Sequence, residues 1–146
     1  MVRPWPISSI LLSLFGAALA AMGLYFMLVR PALLPEDLRY IAQSTAQLDA
    51  SAPRLTSWLL LVFRAMGGYG LATGVLTITL AATSFRARHS GAAAGVLIAG
   101  VASIGWMVAV NFVIDSDYRW LVLGIALLWA SSLALFWLEK KPRQVS

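Results

Sequence analysis

One arginine, Arg64, stands inside an otherwise uncharged apolar run. A charge in such a run needs an anionic partner or a route to water. Asn111 and Asp115 lie one turn apart at the end of another apolar run, with Asp117 two residues on. An Arg64–Asp115 ion pair, with Asn111 as a further partner, is the expected polar cluster. Three roles stay open for Arg64: a structural pair or a side chain snorkelling to the interface, a pair that also sets the bundle geometry, and a site for an anionic headgroup or ligand. Asp115 and Asp117 also spell DxD, a pattern used by cation and nucleotide-sugar sites. Asp and Ser are equally the residues that cap helices, and Ser116 or Asp117 is expected to cap the helix that follows.

Much chemistry is excluded by residue type. The chain has no cysteine, which removes thiol redox catalysis, disulfides, Cys-ligated iron–sulfur clusters and thiolate zinc. His89 is the single histidine, so a haem or metal site built on paired histidines within the chain is ruled out. No Asp, Glu, His or Lys lies in the interior of an apolar run, where a proton-coupled carrier needs a titratable group. No nucleophile–base pair is available, and the Gly67–Gly74 glycines lie mid-run rather than in a phosphate loop. We therefore expect no catalytic residue, no metal and no cofactor.

The most regular pattern is steric. Gly67, Gly70, Gly74, Thr77, Ala81 and Ser84 recur at spacings of three and four, one stripe of small residues down a helix face. In lipid, small residues let helix backbones approach closely. Gly16, Ala20 and Gly23 offer a second stripe, and Ala92, Gly95, Ala99 and Ala102 a third, ending at the bulky Trp106. Packing within one bundle, a homodimer interface and a transport path are the three uses considered, the first favoured.

The elements that carry these residues follow from the apolar runs. The chain has 146 residues, 60% hydrophobic and 12% charged, with a mean hydropathy of +0.82. Soluble domains carry about twice that share of charge. The fold expected is all-α: an integral membrane four-helix bundle forming a single transmembrane domain over 1–146, with helices at about 7–29, 55–85, 91–114 and 119–138. The first run, Ile7–Val29, follows Arg3 and contains Ala18-Leu19-Ala20, but its apolar character continues through Val29, as an anchor rather than a cleaved leader. The second, Leu55–Phe85, would span roughly 46 Å as one helix. Its membrane part is expected at Ala65–Phe85, with Leu55–Phe63 projecting beyond the surface. The short turn 115–119 forces an antiparallel hairpin. The first connection carries Leu38, Ile41, Ala42, Thr45 and Leu48 at helical spacing after Pro35, a short amphipathic helix at about 36–49 lying on the membrane surface or capping the bundle.

Four spans put both termini and the 86–89 turn on one side. That side holds Arg3, Arg86, Arg88, Lys140, Lys141 and Arg143 against Glu139. The other holds Arg30, Arg39, Arg54 and Arg119 against Glu36, Asp37, Asp49, Asp115 and Asp117. The excess of Lys and Arg predicts cytoplasmic termini in a multi-pass cell-membrane protein, a bacterial inner membrane being expected, with the first connection extracytoplasmic. The net charge of +5 is dispersed in stubs between runs, so nucleic acid is not an expected partner. Membrane lipids, other membrane subunits or further copies of the chain are.

The Phe63-Arg64-Ala65-Met66-Gly67-Gly68-Tyr69-Gly70 segment, the Asn111-to-Asp115 helix end and Leu33-Leu34-Pro35 after the first helix together resemble the small bacterial four-helix membrane proteins near the DoxX-like families. The resemblance spans most of the chain. It implies an arginine at the head of the second helix and brings no established activity. The function expected is non-enzymatic: an accessory or scaffold subunit of a membrane assembly, or a small homo-oligomer. The alternative is a binder or carrier of a lipid-like hydrophobic small molecule.

Overall fold

The computed structural model describes residues 4–139. Arg3, Lys140, Lys141 and Arg143, counted above for orientation, lie outside them. All regular structure among the described residues is helical. Four helices are long and apolar enough to cross a membrane: α1 (Ile7–Leu28), α4 (Leu55–Phe85), α5 (Ser90–Val113) and α6 (Arg119–Leu138). Two short helices, α2 (Pro35–Ile41) and α3 (Thr45–Ser51), occupy the first connection. A single helix over 36–49 is therefore not what forms. Ala42 takes left-handed backbone (φ 54°) and stops α2. Ser44 then starts α3 through a reciprocal cap with Gln47, whose backbone N–H it accepts at 3.3 Å while the Gln47 amide oxygen accepts the Ser44 N–H at 2.8 Å.

Each of the three positive-φ residues closes a helix in the same way. At Ala42, Arg88 and Asp115 the following N–H reaches back to a carbonyl five residues earlier: Gln43 to Leu38, His89 to Ser84, and Ser116 to Asn111. These are left-handed terminations built without glycine. Those at Arg88 and Asp115 set the sharp turns between α4 and α5 and between α5 and α6.

The order across the bundle is α4, α1, α6, α5. Helix α1 packs along α4 and also against α6, and α6 packs against α5. Helices α4 and α5 meet at Ala81–Phe85, beside the 86–89 turn, and part beyond it. The core is small, centred on Leu12, Phe15, Phe85, Val96, Ile104 and Phe136. Only 11–28% of the positions in each helix's apolar window are buried. The outward faces are therefore as apolar as the inward ones, the distribution expected where the solvent is not water.

The α1–α4 contact is made of glycine. A Cβ placed on Gly74 would stand 2.5 Å from the Gly16 carbonyl oxygen and 2.4 Å from the Ala20 nitrogen; one on Gly67 would stand 2.6 Å from the Gly23 oxygen. The two stripes mesh backbone to backbone, in an antiparallel register that sets Leu28 level with Arg64. The Phe26 and Phe63 rings stand edge to face at 6.1 Å.

Candidate functional site

Three places bring polar groups or open space together: an ionic cap at the end carrying the first connection, a latch at the opposite end, and a groove between them.

The cap is organised by Arg30. Its side chain is 6% exposed and pairs with Asp37 at 2.9 Å. It donates to the carbonyls of Pro31 (2.8 Å) and Ala32 (3.3 Å), and lies 3.6 Å from the centre of the Phe63 ring. Asp37 also accepts the Leu34 N–H at 2.8 Å, fixing the start of α2. Glu36, buried on the other side of α2, accepts from the Ser116 hydroxyl at 3.3 Å, and Arg39 pairs with Asp117 at 2.8 Å. The first connection is thereby tied across the bundle end to the α5–α6 turn. Arg30 was not singled out in the sequence. The available signal was its position seven residues before Asp37, in a segment whose Pro31 and Pro35 force the chain to fold back.

The expected Arg64 cluster is not assembled among the described residues. Asp115 pairs with Arg119, four residues on. Asn111 donates its amide to the Met107 carbonyl one turn back at 2.9 Å. Asp117 goes to Arg39, and Arg64 is exposed on the outer face of α4. The physical reason is the divergence of α4 from α5: the helix facing Arg64's end is α1, which carries no acid. Helix α6 is also not capped as expected. Its first flanking residue is Tyr118, without a side-chain cap. Ser116 instead accepts the Tyr118 N–H at 3.1 Å.

The latch joins three segments. The Glu139 carboxylate accepts from the Ser8 hydroxyl at 2.6 Å and the Ser8 N–H at 3.1 Å, and forms an ion pair with Arg88. Arg88 further donates to the Phe136 carbonyl at 2.7 Å. Burial opposes ionisation of Glu139 and is the largest single influence. The Ser8 hydrogen bonds and the Arg88 guanidinium together outweigh it and hold the carboxyl below its ordinary range. Nearby, Arg86 lies over the Trp5 ring at 5.0 Å, and the buried Ser9 hydroxyl has no partner among the described residues.

The groove, of about 190 Å³, lies where α4 and α5 part over α1. Phe15 and Leu19 form its floor; Thr73, Leu76 and Thr77 one wall; Gly95, Ala99 and Ser103 the other. Its hydroxyls are closed onto their own helices: Thr73 to Tyr69, Thr77 to Thr73 and Ser103 to Ala99, at 2.6–2.8 Å. The walls thus offer apolar surface and bare backbone. Of the predicted stripe on α4, Gly67, Gly70 and Gly74 face α1, Thr77 lines the groove, Ala81 is buried, and Ser84 supplies the carbonyl that ends the helix. On α5, a Cβ on Gly91 or Gly95 would meet nothing within 4 Å. Only Gly100 is seated, beneath the Trp129 indole, whose N–H donates to the Val96 carbonyl at 2.9 Å. The α5 backbone relaxes into one π turn, Val101–Gly105, immediately after this contact.

No group of three or more His, Asp or Glu stands together as a metal site among the described residues. No protein-family model, characterised protein or solved structure matches the chain.

Proposed function

We propose that this chain is a non-enzymatic multi-pass membrane protein that acts as an accessory or scaffold subunit, associating through α5 with a further membrane helix, either of another subunit or of a second copy. The observation that carries this reading is the unfilled small-residue face of α5. Inside the same chain an equivalent stripe on α4 is closed by glycine-to-glycine packing, whereas Gly91 and Gly95 meet nothing. A bare helix backbone facing the groove invites close approach by another backbone. The charge asymmetry of the connections supports cytoplasmic termini, and the apolar outward faces support insertion in a cell membrane.

The absence of native cysteine makes the test direct. Gly95→Cys and Ala99→Cys should give crosslinked dimers or heteromeric adducts in native membranes, whereas Val75→Cys, exposed on α4, should not. Monomer alone, in membranes and in mild detergent, would overturn the proposal. Single cysteines at Ser51 and Ser146 should label from opposite sides.

A second reading is favoured by the groove itself. Its apolar walls and self-satisfied hydroxyls suit the chain of a lipid-like molecule. The polar head would then not rest on Asn111 and Asp115, which are committed within the chain. Co-purification of a defined hydrophobic compound, lost on Gly95→Leu, would favour this reading over the first.

A further inference from the structure

We infer that Arg64 is a binding site for the phosphodiester of a membrane phospholipid, in the leaflet at the end that carries the first connection. The inference rests on the membrane-spanning reading above.

The ionic inventory at this end leads to it. Five carboxylates occupy the end, and each has a partner within the chain. Asp37 holds Arg30, Asp117 holds Arg39, and Asp115 holds Arg119. Glu36 accepts from Ser116 and Asp49 from Thr56. Arg64 has no hydrogen bond or ion pair to any described residue and is exposed. With the carboxylates of this end engaged within the chain, Arg64 is left open to an anion from outside it.

Depth and direction identify the source. The glycine register sets Arg64 level with Leu28, the last residue of α1 (Ile7–Leu28), at the rim of the apolar bundle. A guanidinium at the rim of an apolar bundle meets anionic groups at the headgroup level. Side chains on a helix lean toward its N-terminus, and the N-terminus of α4 is at this surface, so the arginine stem reaches outward. The group it meets there is the headgroup phosphate, whose oxygens the planar guanidinium binds two at a time. One turn inward, Gly68 has nothing within 4 Å of a Cβ position, leaving room for the glycerol and upper acyl carbons beneath the charge. Trp58, 59% exposed, lies further out along α4, where interfacial aromatics belong.

The test uses the full chain in dodecyl maltoside, with phosphatidylglycerol added back. Wild type should retain phosphatidylglycerol in native mass spectrometry and melt at a higher temperature in its presence. Arg64→Gln should lose one retained lipid per protomer and weaken the lipid dependence of melting about tenfold. Arg64→Lys, which keeps the charge but not the two-point fork, should fall between them. Arg54→Gln, an exposed cation in the connection, should behave as wild type. Equal lipid retention in Arg64→Gln and wild type overturns the inference. So does an equal response of wild type to inorganic phosphate alone, which would assign the site to a soluble anion. A chain that stays in solution without detergent would instead defeat the membrane reading, and is told apart by that behaviour alone.

Discussion

The α1–α4 interface and the groove face of α5 are built from the same residue types and do opposite things. Across the first, glycine faces glycine so closely that no Cβ can enter. Along the second, Gly95 stands bare, as does Gly91 at the start of the helix, and Gly100 is covered by an indole rather than a backbone. Small residues therefore do not by themselves make a contact. They permit one, and whether it forms depends on a matching stripe at the same level on a neighbouring helix. Helix α1 supplies that match for α4 through Gly16, Ala20 and Gly23. Nothing among the described residues supplies it for Gly91 and Gly95.

The contrast is broken most severely at Gly74. Gly74→Val would drive a branched side chain into the Gly16 carbonyl and the Ala20 backbone, neither of which can rotate away. Because overpacking against rigid backbone separates the helices, the cost should exceed about 3 kcal/mol. Unfolding in a mixed micelle titration, followed by tryptophan fluorescence, measures it. A wild-type midpoint would show that the α1–α4 contact is not the one that holds the fold.

Next in size is the latch that keeps α1, the 86–89 turn and α6 together at the closed end of the groove. Glu139→Gln leaves the Arg88 guanidinium, 6% exposed, without its counter-ion. A loss of about 1.5–3 kcal/mol is expected. The pH dependence follows from the sign of the shift. The folded carboxyl titrates below its unfolded range, so its stabilisation is present above roughly pH 4.3 and is lost as pH falls through the lower folded value. The wild-type midpoint should decline on acidification in that window. Glu139→Gln should show less decline.

Trp129→Phe is a milder perturbation, applied where α5 is seated. It keeps a ring over Gly100 but removes the donor to the Val96 carbonyl. About 1 kcal/mol should be lost, with faster amide exchange around Val96–Gly100. Unchanged exchange there would mean that the indole N–H does not pin α5 to α6.

The four long apolar helices were legible because uninterrupted apolar runs admit few alternatives; their bounds moved by no more than one residue, as in Ser90–Val113 for the expected 91–114. Of the α4 stripe, Gly67, Gly70 and Gly74 face α1. Which stripe meets which was not legible, because spacing specifies a face and not a neighbour. The expected Arg64–Asp115 pair assumed that α4 and α5 stay together along their lengths. They part beyond the 86–89 turn, and each charge at the far end is taken by a nearer partner. The break in the first connection was hidden because Ala42 carries no turn signal. The Ser44–Gln47 cap was written in the sequence, but the apolar period running across it masked the stop.

The smallest expected effect on folding is also the one that separates the two faces most sharply. Gly95→Ala adds a methyl group into open space, and alanine favours a helix over glycine by up to about 1 kcal/mol. The isolated chain should therefore unfold at the same midpoint or slightly later. The same methyl on Gly74 would meet backbone at 2.4 Å and should destabilise. If α5 receives a partner helix at this face, Gly95→Ala should nonetheless weaken crosslinking through Ala99→Cys, because the added methyl holds the second backbone away. A fold left intact and an association impaired by one substitution would distinguish a surface made for contact from one that only happens to be small. Loss of folding would instead place Gly95 inside the bundle's own packing and remove the difference between the two helix faces.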